Sequence, residues 1–86
     1  MNIIDKTVIE NGGDVYEYAL FSKHEGDRIY YVISVKLHHG GKSTLYVMPD
    51  IFTSPTKAKL FYASVARDLI TPIGMPYFLE DCICIS

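Results

Sequence analysis

The stretch DIFTSPTKAKLFYASVARDLITPI, residues 50–73, decides how this chain folds. Ser54 is a helix N-cap residue whose side chain accepts a hydrogen bond from a first-turn amide, and Pro55 suits the first helical position. Downstream, Ala58, Phe61, Tyr62, Val65, Ala66 and Leu69 recur at three- and four-residue spacing, while Lys57, Lys59, Ser64 and Arg67 face elsewhere. Thr71-Pro72 ends the pattern, because proline pushes the residue before it away from helical angles. The pattern predicts one amphipathic helix that must lay Phe61, Val65 and Leu69 on an apolar surface. Each of those side chains contributes roughly 1.5–3 kcal/mol on burial, before conformational entropy.

That surface is written upstream. Four segments carry strand signals, at residues 3–10, 15–22, 28–37 and 43–48, and every break between them contains glycine. Connections this short favour antiparallel hairpins, since parallel neighbours need a crossover of about a dozen residues or more. In the third segment Ile29, Tyr31, Ile33, Val35 and Leu37 alternate, so all point to one side. A two-residue turn at Gly40-Gly41 sets Leu37 opposite Thr44, Val35 opposite Tyr46 and Ile33 opposite Met48. A similar turn at Glu25-Gly26 sets Tyr31 opposite Leu20, Ile33 opposite Tyr18 and Val35 opposite Tyr16. Both turns place apolar sets on the same face. The first segment is ambiguous: Ile3 and Ile9 point one way, Ile4 and Val8 the other. An edge position suits it, with Asp5 and Lys6 discouraging further pairing. The predicted fold is α+β: a four-stranded antiparallel meander, one main C-terminal helix packed on one face, then a short helix or extended tail. Residues 76–81 start a second short helix in this reading, while Cys82-Ile83-Cys84-Ile85 alternates like a strand.

Composition narrows the class. Eighty-six residues make a single domain, and an apolar share of 49% belongs to a globular chain. Eight basic against ten acidic residues give −2 with no like-charge run, which argues against a nucleic-acid partner. Phe21 and Tyr30 offer aromatic rings for base stacking, but the acidic balance opposes that use. The N-terminal run Ile3-Ile4 breaks at Asp5-Lys6, far short of a signal peptide, and nothing reaches the roughly 18 apolar residues of a membrane span. Cys82 and Cys84 are one residue apart and would form a strained bridge. The expectation is a reduced, cytoplasmic chain with neither membrane nor nucleic-acid partner.

Candidate sites follow from the two faces. The face away from the helix carries Phe21, Tyr30, Val32, Leu45 and Val47, an apolar set where a water-facing sheet is usually polar. A partner covers it, most simply a second copy in a two-fold homodimer, or the C-terminal segment does so with Tyr77, Phe78 and Ile83, or its apolar side chains are scattered exposure without consequence. The alternative function is a small-molecule binding or regulatory domain, its ligand between helix and sheet near Tyr46, Tyr62 and Thr71-Pro72-Ile73. Chemistry is sparsely signalled. His38, His39, Cys82 and Cys84 lack zinc-ligand spacing, so no metal is assigned. His24 beside Glu25 and Asp27 is a turn histidine among acids. Ser22, Ser34 and Ser43 have no nucleophile-elbow motif, and the glycine pairs join strand to strand rather than strand to helix. No cofactor and no catalytic residue is assigned.

Asp50-Ile51, Thr53-Ser54, Lys57, Thr71-Pro72-Ile73 and Glu80-Asp81 together resemble the pattern of a small family of uncharacterised bacterial domains, mainly from Gram-positive anaerobes. The likeness spans residues 50–81. It departs at Pro55, where the family usually has a polar residue, and at Gly74-Met75-Pro76, which interrupts an ordinarily continuous second helix. The resemblance implies a cytoplasmic bacterial protein with a sheet followed by helices. It implies no activity.

Overall fold

A computed structural model describes residues 2–48 and 52–78 of the chain. Strands β1 (Asn2–Asn11), β2 (Asp14–Glu25), β3 (Arg28–His39) and β4 (Lys42–Val47) precede one helix, α1 (Pro55–Arg67). The sheet order is β1-β2-β3-β4 with every pair antiparallel, so the meander and its α+β class stand as expected.

The β3–β4 register is the predicted one: Leu37 faces Thr44, Val35 faces Tyr46, and the Met48 amide donates to the Ile33 carbonyl at 2.8 Å. The β2–β3 register differs by two residues. Ile33 faces Leu20, Val35 faces Tyr18 and Tyr31 faces Ser22. The turn explains the shift: its central residues are Gly26-Asp27, with Gly26 at φ +63°, and Glu25 pairs with Arg28. A slip of two preserves the side of every residue, so the inner set survives the correction. In β1 the phase is reset by an irregularity between Ile3 and Asp5, which leaves Ile4 without a β2 partner. Ile3 thereby joins Val8 on the outer face, while Thr7 and Ile9 sit opposite Tyr18 and Tyr16 on the inner one.

Helix α1 crosses β2 and β3. Ala58, Phe61, Tyr62 and Val65 meet Tyr18, Leu20, Ile33, Val35 and Met48 in one buried cluster. Ser54 caps the helix as expected, accepting from the Lys57 amide at 3.4 Å. Its end is not where the sequence placed it. The helix stops at Arg67, and Leu69 takes the left-handed conformation at φ +50°. The Leu69 amide donates to the Ala66 carbonyl and the Ile70 amide reaches back to Val65 at 3.2 Å, so the last carbonyls are satisfied by a Schellman closure without a glycine. Leu69 still packs against the cluster.

Thr71-Pro72 is therefore a start rather than a stop. Thr71 Oγ1 accepts from the Gly74 amide at 3.1 Å, and a helical turn follows at residues 75–78. It buries Met75 completely and sets Phe78 against Phe61, ring centroids 5.3 Å apart. Phe52 approaches Phe61 at 5.2 Å and bridges to Tyr31 of β3. Tyr77 is exposed and Phe78 lies on the helix side, so neither covers the outer face. Ile83, the strand-like Cys82–Ile85 run, Asp50-Ile51 and Glu80-Asp81 lie outside the described residues. Among the described residues, no helix is long and apolar enough to cross a membrane.

Candidate functional site

Among the described residues, three surfaces bring together side chains with chemical potential. The first is the outer face, where strand pairing arranges side chains in rows. Ile3, Phe21 and Val32 align across β1, β2 and β3, and Lys6, Ala19, Ser34 and Val47 form the next row. Val8, Glu17, Lys36 and Leu45 come third, and Glu10, Val15, His38 and Ser43 fourth. The face is graded, apolar at the Ile3 end and polar at the Ser43 end. All five predicted contact residues share it, with Tyr30 opposite Lys23 beyond the apolar row. They are not equally available. Leu45 and Val47 are 59% and 53% exposed and Phe21 and Tyr30 are half-buried, but Val32 is only 3% exposed. Val32 and the nearby Ala19 are thus buried within the face itself. Small side chains at Ala19 and Ser34 leave a shallow depression of about 190 Å³ walled by Ile3, Phe21 and Leu45.

The second surface is the polar end of the same face. Ser43 Oγ lies 2.8 Å from His38 Nδ1, and His38 Nε2 lies 2.5 Å from a Glu17 carboxylate oxygen, while Lys6 approaches the other oxygen at 3.8 Å. The hydrogen bond from His38 holds the Glu17 carboxyl below its usual range, with the charges of His38, Lys6 and Lys36 adding to it. His39 pairs with Asp14 beside them. A hydroxyl, an imidazole and a carboxylate in line have the order of a nucleophile relay. The setting is an open strand surface, however, and Ser43 is itself exposed. The arrangement is a cross-strand polar ladder that pins β2, β3 and β4 together. His24, the histidine singled out from sequence, sits across from Ile29, away from this group. No group of three or more metal-ligating side chains is found among the described residues.

The third is a cleft of about 450 Å³ between α1 and β1, lined by Ile4, Asp5, Thr7, Leu20, Lys59 and Tyr62, among others. It lies where α1, packed mainly on β2 and β3, is offset from β1. At one wall the Tyr62 hydroxyl donates to the Tyr18 carbonyl at 3.2 Å, so the Thr7 hydroxyl, 2.7 Å away, is the donor to Tyr62. Burial raises the Tyr62 hydroxyl above its ordinary value. This is not the cavity expected from sequence. Tyr62 turns toward β1, whereas Tyr46 stands on β4 with β2 and β3 between them. Near the Thr71 turn, the Tyr18 hydroxyl donates to the Ile70 carbonyl at 3.1 Å and Pro72 is buried.

No protein-family model, curated protein or solved structure matches this chain. Function has to be read from these three surfaces.

Proposed function

We propose that the chain is a non-enzymatic interaction module of the cytoplasm that forms a homodimer through the outer face of its sheet. Phe21, Tyr30, Leu45 and Val47 make the contact around the buried Val32. One observation carries the reading: Leu45 and Val47 are more than half exposed on the same sheet face that carries the apolar row of Ile3, Phe21 and Val32. Contiguous apolar surface of this kind marks interaction sites, and a two-fold partner needs no second gene product. The reducing compartment is inferred from Cys82 and Cys84, which are too close in sequence to staple distant parts of the fold. The likeness to Gram-positive domains supports a bacterial source.

Light scattering across micromolar concentrations tests the dimer. Wild type is expected at no less than twice its 9.7 kDa mass. Leu45→Lys is expected to weaken the association without unfolding the chain, because that side chain is already exposed. A monomeric wild type sinks the reading. Val32→Lys is a poor probe, since it would place a charge in a buried position of the monomer itself.

The cleft beside α1 favours a second reading, a small-molecule binding domain. Its volume falls in the roughly 300–1,000 Å³ range of ligand sites. Asp5 and Lys59 supply opposite charges at its lining and Tyr62 a hydroxyl. Fragment screening by NMR is expected to shift the amides of Thr7, Leu20 and Ala63 together. Hits scattered away from these residues count against it.

A further inference from the structure

The free edge of β1 carries information that the outer face does not. We propose that β1 pairs antiparallel with β1 of a second copy, Val8 opposite Val8, so that two sheets join into one of eight strands. Three observations lead there.

The first is which backbone groups are available. The β1–β2 turn has Gly12 and Gly13 both at positive φ, the two-residue type I′ geometry, closed by Asn11 and Asp14. Hydrogen-bonded pairs then alternate along the ladder from Asn11, so Ile9, Thr7 and Asp5 bond to β2. The amides and carbonyls of Lys6, Val8 and Glu10 point to the free edge. One contact confirms the phase: the Lys6 amide donates to the Asp5 carboxylate at 2.8 Å instead of to β2.

The second is exposure. Val8 is 56% exposed, and Lys6 and Glu10 are exposed beside it on the outer face. Glu10 makes no ion pair among the described residues, and Lys6 holds Glu17 only at 3.8 Å. The opposite edge, β4, is six residues long against ten for β1.

The third is charge, and it selects the register. In an antiparallel two-fold pair, residues on like faces oppose each other. Centred on Val8, Lys6 of each copy faces Glu10 of the other, twice over. Centring on Thr7 or Ile9 sets one of these charges against valine, and centring on Lys6 or Glu10 sets like charges together. Only the Val8 register satisfies both. It also ends the paired segment at Asp5, just before the irregularity at Ile4. Lys6, which beside Asp5 reads in isolation as a guard against edge pairing, becomes a register key with Glu10.

This contact lies in the plane of the sheet, so it is independent of the outer-face dimer. With both engaged, four copies stack two eight-stranded sheets back to back. Charge exchange tests it on the full chain. Lys6→Glu and Glu10→Lys are each expected to weaken edge association by at least about tenfold, since each creates two like-charge pairs. Mixing the two weakened variants is expected to restore it. The introduced glutamate then meets the introduced lysine at one contact, and the native Glu10 and Lys6 meet at the other. Val8→Pro is expected to abolish it with an unchanged circular dichroism spectrum, as the Val8 amide serves no bond within the chain. Asp5→Ala, which frees the Lys6 amide, is expected to tighten it. Association that survives the single charge variants, or mixing that restores nothing, overturns the proposal, as does a monomeric wild type. Leu45→Lys separates the two contacts. Association lost to Leu45→Lys alone leaves only the outer face, which overturns the edge pairing, and association lost to the edge variants alone leaves only β1.

Discussion

The two faces of this sheet come from the same alternating strands and differ in what lies over them. On the inner face Tyr18, Leu20, Ile33, Val35 and Met48 are all buried, and their cover is α1 together with Met75 and Phe78. On the outer face burial is confined to Val32 and Ala19, while Leu45 and Val47 stay open and the far end turns polar through Glu17, Lys36 and His38. Alternation decides which residues travel together. It does not decide which set is sealed, and the helix stripe does that. The difference separates residues that hold the fold from residues free to meet a partner.

The comparison breaks most visibly at Ile33. Ile33→Ala empties a site with no exposure at the centre of the inner face, and about 2–5 kcal/mol of stability is expected to go in urea or thermal unfolding. Val32→Ala on the outer face is expected to cost about 1–2 kcal/mol, because that side chain is buried too. Leu45→Lys is expected to change monomer stability by less than about 0.5 kcal/mol. Equal losses at Ile33 and Leu45 would mean that the faces are not distinct.

Much of this was legible in the sequence. The alternation of β3 and the stripe of α1 gave the inner core, and Gly40-Gly41 gave the β3–β4 register. That register already places His38 opposite Ser43. Glu17 joins them only in the true β2–β3 register, where it faces Lys36, so an error of two at the Gly26 turn hid the polar ladder. Ser54-Pro55 and Thr71-Pro72 are the same cap-and-proline signal, and proline context alone does not say whether a helix is ending or beginning. The actual stop at Leu69 had no glycine to announce it. Met75 stands outside any periodic run, so its burial depended on the chain turning back after Ile70. The cleft was illegible because it arises from the lateral offset of α1 from β1, which periodicity does not encode.

A milder test works through pH. Burial, with Tyr16 nearby, pushes the Tyr18 hydroxyl up to about 12 from 10.0. An unfolded tyrosine ionises near 10, so between about 10 and 12 the folded state holds a proton that the unfolded state has lost. Stability is therefore complete below pH 10 and falls as pH rises through that window. Tyr18→Phe is expected to flatten this fall, at a cost of about 1 kcal/mol at neutral pH from the lost bond to Ile70. Tyr62, raised in the same direction, keeps some slope in the variant. An unaltered alkaline limb would show that Tyr18 is solvated.

The smallest effect belongs to the outer face and runs the other way in pH. The His38 bond and nearby positive charges hold the Glu17 carboxyl below 4.5 in the folded chain. Its contribution is present above pH 4.5 and is lost as pH falls through the depressed folded value. Glu17→Gln is expected to reduce stability slightly at pH 7 and to leave the acid limb less steep, read as paired urea midpoints at pH 7 and near pH 3. Because the carboxylate lies near the surface, the difference is expected to shrink further in high salt, where an exposed pair is screened. The Ile33→Ala loss is expected to persist in the same salt, since removing a buried side chain leaves no charge to screen. A Glu17 effect that is large and indifferent to salt would mean that the polar end of the outer face is as closed as the inner one.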